Sequence, residues 1–393
     1  MTDADAIVVG AGPAGSAAAG LLARRGWRVL LLDRARFPRD KPCGDYCNPG
    51  ATAFLARAGW LDAVLRAGAV EVGEMTVYAR DGRSLRAGYP CGTGLLVPRR
   101  TLDAALVACA SAAGARVEEG RAVEEVRLAD GGAEVRTGRS VWRARLVIAA
   151  DGARSVVARR HVHTRLLRSG RYTVGAYFSG LPLQAPAGQL HLGPDLYCGV
   201  AHFGGGAANV CMALPRRWWG RGGPEEAFTA AITSLPVLAD LLAGARRESA
   251  YRCAGPVGCV RRTPAAPRLL LAGDAAAQVE PLTGQGICSA LRSAALAAEA
   301  AHRLLDAGGH AAAALRWYRR AHARAVAGRH LVARVVSCLA VGRMAPTLVG
   351  RLIARPDLAV RLLGAVGDIL PPGAVLSPAF WGRLLLAADA HRA

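Results

Sequence analysis

The chain has 393 residues, 52% of them hydrophobic and 20% charged, which is a globular composition with length for more than one domain and excludes a disordered class. Lys and Arg number 50 against 29 Asp and Glu, a formal net charge of +21, yet a single lysine, Lys41, stands beside 49 arginines. A GC-rich coding sequence produces that skew without selection for a partner, and no basic block interleaved with aromatics points to nucleic acid.

If the charge has a use, the acidic partners it suits are a membrane surface, a phosphorylated substrate or an acidic carrier protein. Ten cysteines, at 43, 47, 91, 109, 198, 211, 253, 259, 288 and 338, show no CxxC and no His/Cys ligand spacing. They read as reduced cytoplasmic thiols, with neither a disulfide framework nor a metal site. The apolar start from Ala6 to Ala23 follows Asp3 and Asp5 and is broken at Gly12-Pro13, so it is not a signal peptide. Nowhere do 18 apolar residues run together, and no membrane span is expected. The expected location is the cytoplasm, with peripheral membrane contact as the alternative.

In chain order, Ala6–Gly10 reads as a buried parallel strand, followed at once by Gly10-Ala-Gly12-Pro13-Ala14-Gly15, a complete G-x-G-x-x-G. A helix from Ser16 ends in Arg24-Arg25 and stops at Gly26, and a second strand, Val29–Leu32, delivers Asp33. Each part has a physical task. Gly10 permits the tight turn, Gly12 lets backbone N–H groups approach a pyrophosphate, and Gly15 lets helix pack on strand. The helix N-terminus favours the phosphate, and Asp33, 18 residues beyond Gly15, accepts hydrogen bonds from an adenosine ribose. This ordered set predicts dinucleotide binding.

Two later strands repeat the theme. Leu146–Ala150 ends in Asp151-Gly152, and Leu269–Ala272 ends in Gly273-Asp274, followed by Pro281-Leu-Thr-Gly284-Gln285-Gly286-Ile287 and a helix from about Ser289 to Leu305. A carboxylate at such a tip can hold a ribityl hydroxyl, and glycines opening a helix present N–H groups to a flavin pyrimidine edge. Between them, Val123–Ile148 alternates around Gly131-Gly132 as a β-meander, and Tyr172–Phe178, Leu196–Phe203 and Asn209–Leu214 read as further strands. From about residue 325 the chain is helical, punctuated by Pro346, Pro356 and Pro371-Pro372, with Arg329, Arg334, Arg343, Arg351 and Arg361 spaced among Leu and Val. That pattern suits packing helices or a membrane-skimming face that admits a lipophilic substrate.

The three tips, in this order and spacing, resemble the fingerprints of the p-hydroxybenzoate hydroxylase-fold flavoproteins, which include group A monooxygenases, flavin halogenases and geranylgeranyl reductases. Arg100-Thr-Leu-Asp103 is similar to that family's motif of an arginine shortly before Leu-Asp, and Phe37–Asp45 resembles the P-x-C-G-[DE] loop of its geranylgeranyl-reductase branch. The resemblance implies an α/β fold: a Rossmann-type, glutathione-reductase-like FAD-binding domain at residues 1–70, 96–165 and 258–330. It also implies an inserted mixed-sheet substrate domain at 71–95 and 166–257, and a helical C-terminus at 331–393. The implied FAD contacts are Gly10, Gly12, Pro13, Ala14, Gly15, Asp33, Arg34, Cys43, Gly44, Arg100, Val123, Asp151, Gly152, Gly273, Asp274, Pro281, Gly284, Gln285, Gly286 and Ile287. NAD(P)H would be a transient reductant, since no second G-x-G-x-x-G occurs.

Three flavin reactions compete on the remaining residues. Hydroxylation or epoxidation needs a dry pocket with few acid–base groups, and comes first. Prenyl double-bond reduction is favoured by Cys43-Gly44-Asp45, but the branch's Tyr-x-Trp-x-Phe-Pro stretch reads here Tyr197-Cys-Gly199-Val-Ala201-His202-Phe203. Tyrosine is kept while glycine replaces tryptophan, which predicts a pocket of changed shape and polarity. Halogenation lacks both its tunnel lysine and its Trp-x-Trp-x-Ile-Pro motif. A non-catalytic FAD-binding protein is the remote alternative. Candidate catalytic residues are Cys43, whose pKa a nearby arginine or helix end would lower, Tyr197, His202 and Pro281, with His191 as a further strand histidine.

Overall fold

The computed structural model describes residues 2–166, 170–258, 260–306 and 311–387; Cys259, one of the ten thiols, lies outside them. The short apolar runs form the centre of an eight-stranded sheet. Its order is Ala265–Ala266, Leu269–Leu271, Ser140–Ala149, Ala4–Val9, Val29–Leu32, Arg116–Glu118, and the hairpin Glu125–Ala129/Gly132–Thr137 extends from Ser140–Ala149. Strands covered on both faces have no polar side to show, which is why these read as unbroken Val, Leu and Ile. Pairing is parallel at the centre: Val9 lies beside Leu32 and Ala149, and Ala149 beside Leu271. Gly10, Asp33, Asp151 and Gly273 therefore follow strands that all end at one edge, in the crevice where α/β sheets bind ligands.

Helix Pro13–Ala23 is pinned on the sheet by Arg99–Ala112 and Gly286–Asp306. Its Ala17, Ala18 and Leu22 share one buried cluster with Ala294, Ala297 and Ala301, and those small residues let the helices approach closely. The second sheet is mixed, running Arg246–Arg247, Arg171–Ser179, Ala207–Pro215, Tyr197–Gly204, Ala187–Leu192, Glu74–Tyr78 and Ser84–Gly88, with Arg252–Ala254 also on Arg171–Ser179. Alternation gives its two faces separate tasks. Val174, Ala176, Phe178, Cys198, Val200 and Val210 pack on helices Gly223–Thr233 and Pro236–Leu242. There Phe228 lies between the rings of Phe178 and Tyr251, at 5.6 and 4.9 Å. Such side chains contribute roughly 1.5–3 kcal/mol each when fully buried. The opposite face, carrying Val77, Leu190, Leu192, Tyr197 and Gly199, turns toward Pro281–Gly284 and the C-terminal helices.

A layer of C-terminal helices closes that space: Ala311–Ala340, Ala345–Ile353, Pro356–Val366 and Pro378–Leu385. Prolines open the last three, where the missing N–H costs nothing. The long helix begins at Ala311 and runs through residues 330–331, where the sequence placed a domain boundary, so the flavin region and the C-terminal layer share it. Among the described residues no single helix is long and apolar enough to cross a membrane; Ala311–Ala340 and Ala345–Ile353 together would be, but meet at 106°.

Candidate functional site

At the sheet edge the glycines are dictated by space. A Cβ on Gly15 would stand 1.6 Å from the Gly10 carbonyl oxygen, and one on Gly10, where φ is +95°, would stand 2.6 Å from that of Ala150. A Cβ on Gly273 would meet the Ala14 Cβ at 2.8 Å, so the first and third tips touch. Gly12 is the N-cap of helix Pro13–Ala23 and offers no side-chain cap, leaving first-turn N–H groups for an anion. Asp33 is buried and oriented: its Oδ2 accepts from the Ala11 N–H at 2.7 Å and its Oδ1 from the Ala35 N–H at 2.8 Å. Val123 is half-buried against the core beneath that end of the sheet.

Further along the cleft stands a charged cluster. Arg99 donates from Nε and Nη2 to the two oxygens of fully buried Asp103, at 2.9 and 2.8 Å, and Arg39 reaches the same carboxylate at 3.1 Å. The Arg39 guanidinium lies over the Phe37 ring and 3.6 Å from where a Gly12 Cβ would be; Lys41 Nζ is 3.9 Å from the equivalent point on Gly152. Burial, with Arg99 and Arg39 nearby, pushes the Lys41 amine down from its ordinary value, and Asp274 and Asp103 oppose that. Lys41 is nonetheless exposed to solvent, which weakens that push. Burial likewise raises the Asp274 and Asp151 carboxyls, against Lys41 and Arg99 for the first and hydrogen bonds from Ser155 and Val156 for the second.

The residues present fit a flavin dinucleotide. Asp151 uses Oδ2 to accept from the Val156 N–H at 2.8 Å, while its buried Oδ1 has no protein partner. Gln285 is fully buried with Oε1 accepting from Thr283 Oγ1 at 3.0 Å and Nε2 unpartnered. Buried polar atoms left over in this way await a ligand or solvent. Both flank the cradle, and Gly286 opens helix Gly286–Asp306 with nothing within 4 Å of a notional Cβ, so its first-turn N–H groups are approachable. A dinucleotide cradle continued by a second set of helix-opening glycines, with half-buried Asp274 between them, takes FAD. The class is FAD-dependent oxidoreductase.

Beside this cleft lies a cavity of about 230 Å³. Gly44 and Pro281–Gly284 form its cleft end, the strands with Val77, Leu190, Tyr197 and Gly199 one wall, and Val336, Leu352 and Leu362 of the C-terminal helices the other. The hydroxyls of Tyr46 and Tyr89 share a hydrogen bond in this wall. Glycines make room for them: a Cβ on Gly284 or Gly94 would be 2.7 or 2.8 Å from the Tyr46 ring, and one on Gly367 would be 3.2 Å from that of Tyr89. Burial lifts the Tyr46 phenol well above its ordinary value, and that of Tyr89 to about 12, so both hold their protons. Tyr197 donates to Glu280 Oε1 at 2.7 Å, with Arg171 3.8 Å from the same oxygen.

Several sequence expectations move. Arg100 is exposed and 3.7 Å from Asp40; the buried partner of Asp103 is Arg99, four residues before it on the same helix face, while Arg100, three before it, points outward. Arg34 is also exposed. The Ile287 side chain is packed in the main core, so only its backbone could meet a cofactor. His202 and His191 lie on the far face of the second sheet: His202 Nδ1 meets the Ala185 carbonyl at 2.8 Å, and His191 stacks on Tyr78 and bonds Gln189. The Cys43 thiol is pushed up by burial, which outweighs the opposing Arg99 guanidinium, so it is a thiol and not an activated thiolate. Its loop is held by Asn209 Nδ2, donating to the Cys43 carbonyl at 2.8 Å. Next to it, buried Asp45 accepts from Tyr177 Oη at 2.5 Å and the Arg99 N–H at 3.1 Å, and burial raises its pKa to about 6. The sequence analysis assigned no site role to Arg39, Tyr46, Tyr89 or Arg99, and held Asp45 only as the acid of the Cys43-Gly44-Asp45 motif; of the four, only Arg99, by its spacing from Asp103, carried a local signal.

Comparison with known proteins agrees with the class. A family model described as FAD binding domain matches residues 3–212. The menaquinone reductase of Mycolicibacterium smegmatis is 34% identical over 338 residues, 78% of each chain. Digeranylgeranylglycerophospholipid reductase 2 of Methanopyrus kandleri is 31% identical over 341 residues, 80% of this chain and 81% of its own. A solved flavin-dependent brominase superposes with a TM-score of 0.81 over 93% of both chains at 18% identity, a likeness of fold alone. The chain belongs to the FAD-binding domain family, with the p-hydroxybenzoate hydroxylase fold.

Proposed function

We propose that the protein is an FAD-dependent reductase of a double bond in a prenyl chain, reversing the order in which the sequence ranks oxygenation and reduction. The observation that carries this is strand parity. Of the positions that break the Tyr-x-Trp-x-Phe-Pro stretch, Gly199 and Ala201 line the cavity and His202 does not. The changes therefore widen the cavity without making it polar. The nearest atom to a Cβ on Gly199 is the Cys211 carbonyl oxygen at 3.9 Å, so the vanished ring leaves open space. The names of the relatives, menaquinone reductase and digeranylgeranylglycerophospholipid reductase, support the same reading.

When bound in the cleft, FAD would supply the hydride for one carbon of the double bond, with NAD(P)H as the source of its electrons. The chain's own residues do the rest. Apolar walls hold the prenyl chain and exclude water, and Gly44 with Pro281–Gly284 joins the cavity to the flavin cleft. The second carbon needs a proton. Tyr46 Oη, backed by Tyr89 Oη, holds a proton at that end. The decisive experiment reduces the holoprotein anaerobically and adds a polyprenylated quinone. Flavin reoxidation without oxygen is expected, with a product that stays heavier by two hydrogens after its ring is reoxidised to the quinone in air, which places those hydrogens on the prenyl chain. A product that gains an oxygen atom, formed only in air, would establish the oxygenase reading in its place.

A further inference from the structure

We infer that the outer face of helix Ala311–Ala340 docks on an anionic lipid bilayer. The inference goes beyond the reductase reading, and its test uses no substrate. Arg316, Arg320, Arg324, Leu331, Arg334 and Cys338 are all exposed on this helix. At 100° per residue those positions fall within one narrow arc, a single stripe along the helix. The helix contains no Asp or Glu, and none of those four arginines has a carboxylate partner among the described residues.

Composition alone does not explain the bias. The first 310 residues carry 38 cationic and 26 acidic side chains, whereas from Ala311 onward there are 12 arginines and three acids. Uncovered apolar groups gather in the same layer: of the five large hydrophobic side chains exposed among the described residues, Leu331, Met344, Leu385 and Leu386 belong to it, and only Val141 does not. Cations beside uncovered Leu and Met suit a surface that is anionic outside and apolar just beneath, which is a lipid headgroup layer. An acidic protein would satisfy the arginines and leave Leu331 and Met344 unexplained.

The opposite face of the helix gives the docking a purpose. Val336 and Ala340 line the cavity, so a docked stripe would hold that cavity about one helix diameter, roughly 10–12 Å, below the lipid. A prenyl chain could then pass from bilayer to cavity without crossing bulk water.

The test is sedimentation of the holoprotein with vesicles of phosphatidylcholine alone and with added phosphatidylglycerol. Binding only to the anionic vesicles, falling as salt rises, is expected. The combined Arg316→Gln, Arg320→Gln and Arg324→Gln variant should bind about a hundredfold more weakly, since each arginine near an anionic surface is worth roughly 1 kcal/mol. Leu331→Ser should weaken binding severalfold with the salt dependence kept. Retained flavin absorbance and thermal midpoint show that these variants are folded. Equal binding to neutral vesicles, or unchanged binding of the triple variant, overturns the inference. So does a failure to bind vesicles, whether or not an acidic carrier protein binds instead.

Discussion

The flavin cleft and the cavity beside it share a boundary at Gly44 and Pro281–Gly284 yet are built by opposite means. The cleft is made by backbone: glycines leave room, strand tips present N–H groups, and buried carboxylates finish the contacts. The cavity is made by side chains from two sheets and three helices, any of which can change size without disturbing a hydrogen-bond ladder. Backbone demands leave strict marks in a sequence, whereas apolar walls leave almost none. The cofactor of such a protein is therefore far easier to read than its substrate.

Substitutions can break that contrast, and the largest effect belongs to the cleft. Gly15→Ala forces a Cβ against the Gly10 carbonyl, and should yield protein that is unfolded or without yellow colour on purification. Asp274→Ala should fold but lose most of its flavin absorbance. Arg99→Ala strips buried Asp103 of its two-point partner and should lower stability by about 3 kcal/mol in denaturant titration. The neighbouring Arg100→Ala should stay within about 0.5 kcal/mol, and equal losses for the pair would remove the assignment.

Cavity changes should spare the flavin and strike turnover. Gly199→Phe fills the space left by the missing aromatic; KM for a long prenyl substrate should rise at least about tenfold while absorbance is unchanged. Tyr46→Phe should slow substrate reduction by about 10²-fold and leave flavin reduction by the nicotinamide untouched, which stopped-flow traces can separate.

The smallest effects are on pH. His191, His322 and His330 are neutral in the fold, burial holding each near 4 against an ordinary 6.5. Their contribution is present above pH 6.5 and lost as pH falls through 4, at about 1.4 kcal/mol per pH unit for each group. Asp45 acts the other way: with its pKa at about 6 against an ordinary 3.8, its contribution is complete below 3.8 and lost as pH rises through 6. Asp45→Asn should flatten that limb in a stability–pH curve.

The same contrast explains what the sequence disclosed. Gly10–Gly15, Asp33, Asp151-Gly152 and Gly273-Asp274 were legible because strand, turn and acid must follow one another in order. Arg99 and Arg100 differ only in which of two adjacent arginines falls on the buried helix face, and the pairing with Asp103 decides it. His202 was misplaced because strand register sets which face a residue takes, and a one-residue shift in parity exchanges pocket for back wall. The Tyr46–Tyr89 pair spans 43 residues and meets only when the small sheet of Tyr46–Cys47, Gly94–Leu96 and Val70–Val72 forms. No local pattern could announce it.

The contact between Ala14 and Gly273 has a consequence for the order of events in the cell. The cradle's two halves are separated by more than half the polypeptide, so a nascent chain still on the ribosome cannot grip its coenzyme until Gly273–Ile287 have emerged. Because the coenzyme binds only the assembled cradle, its supply in the cell adds to the stability of the folded chain by mass action.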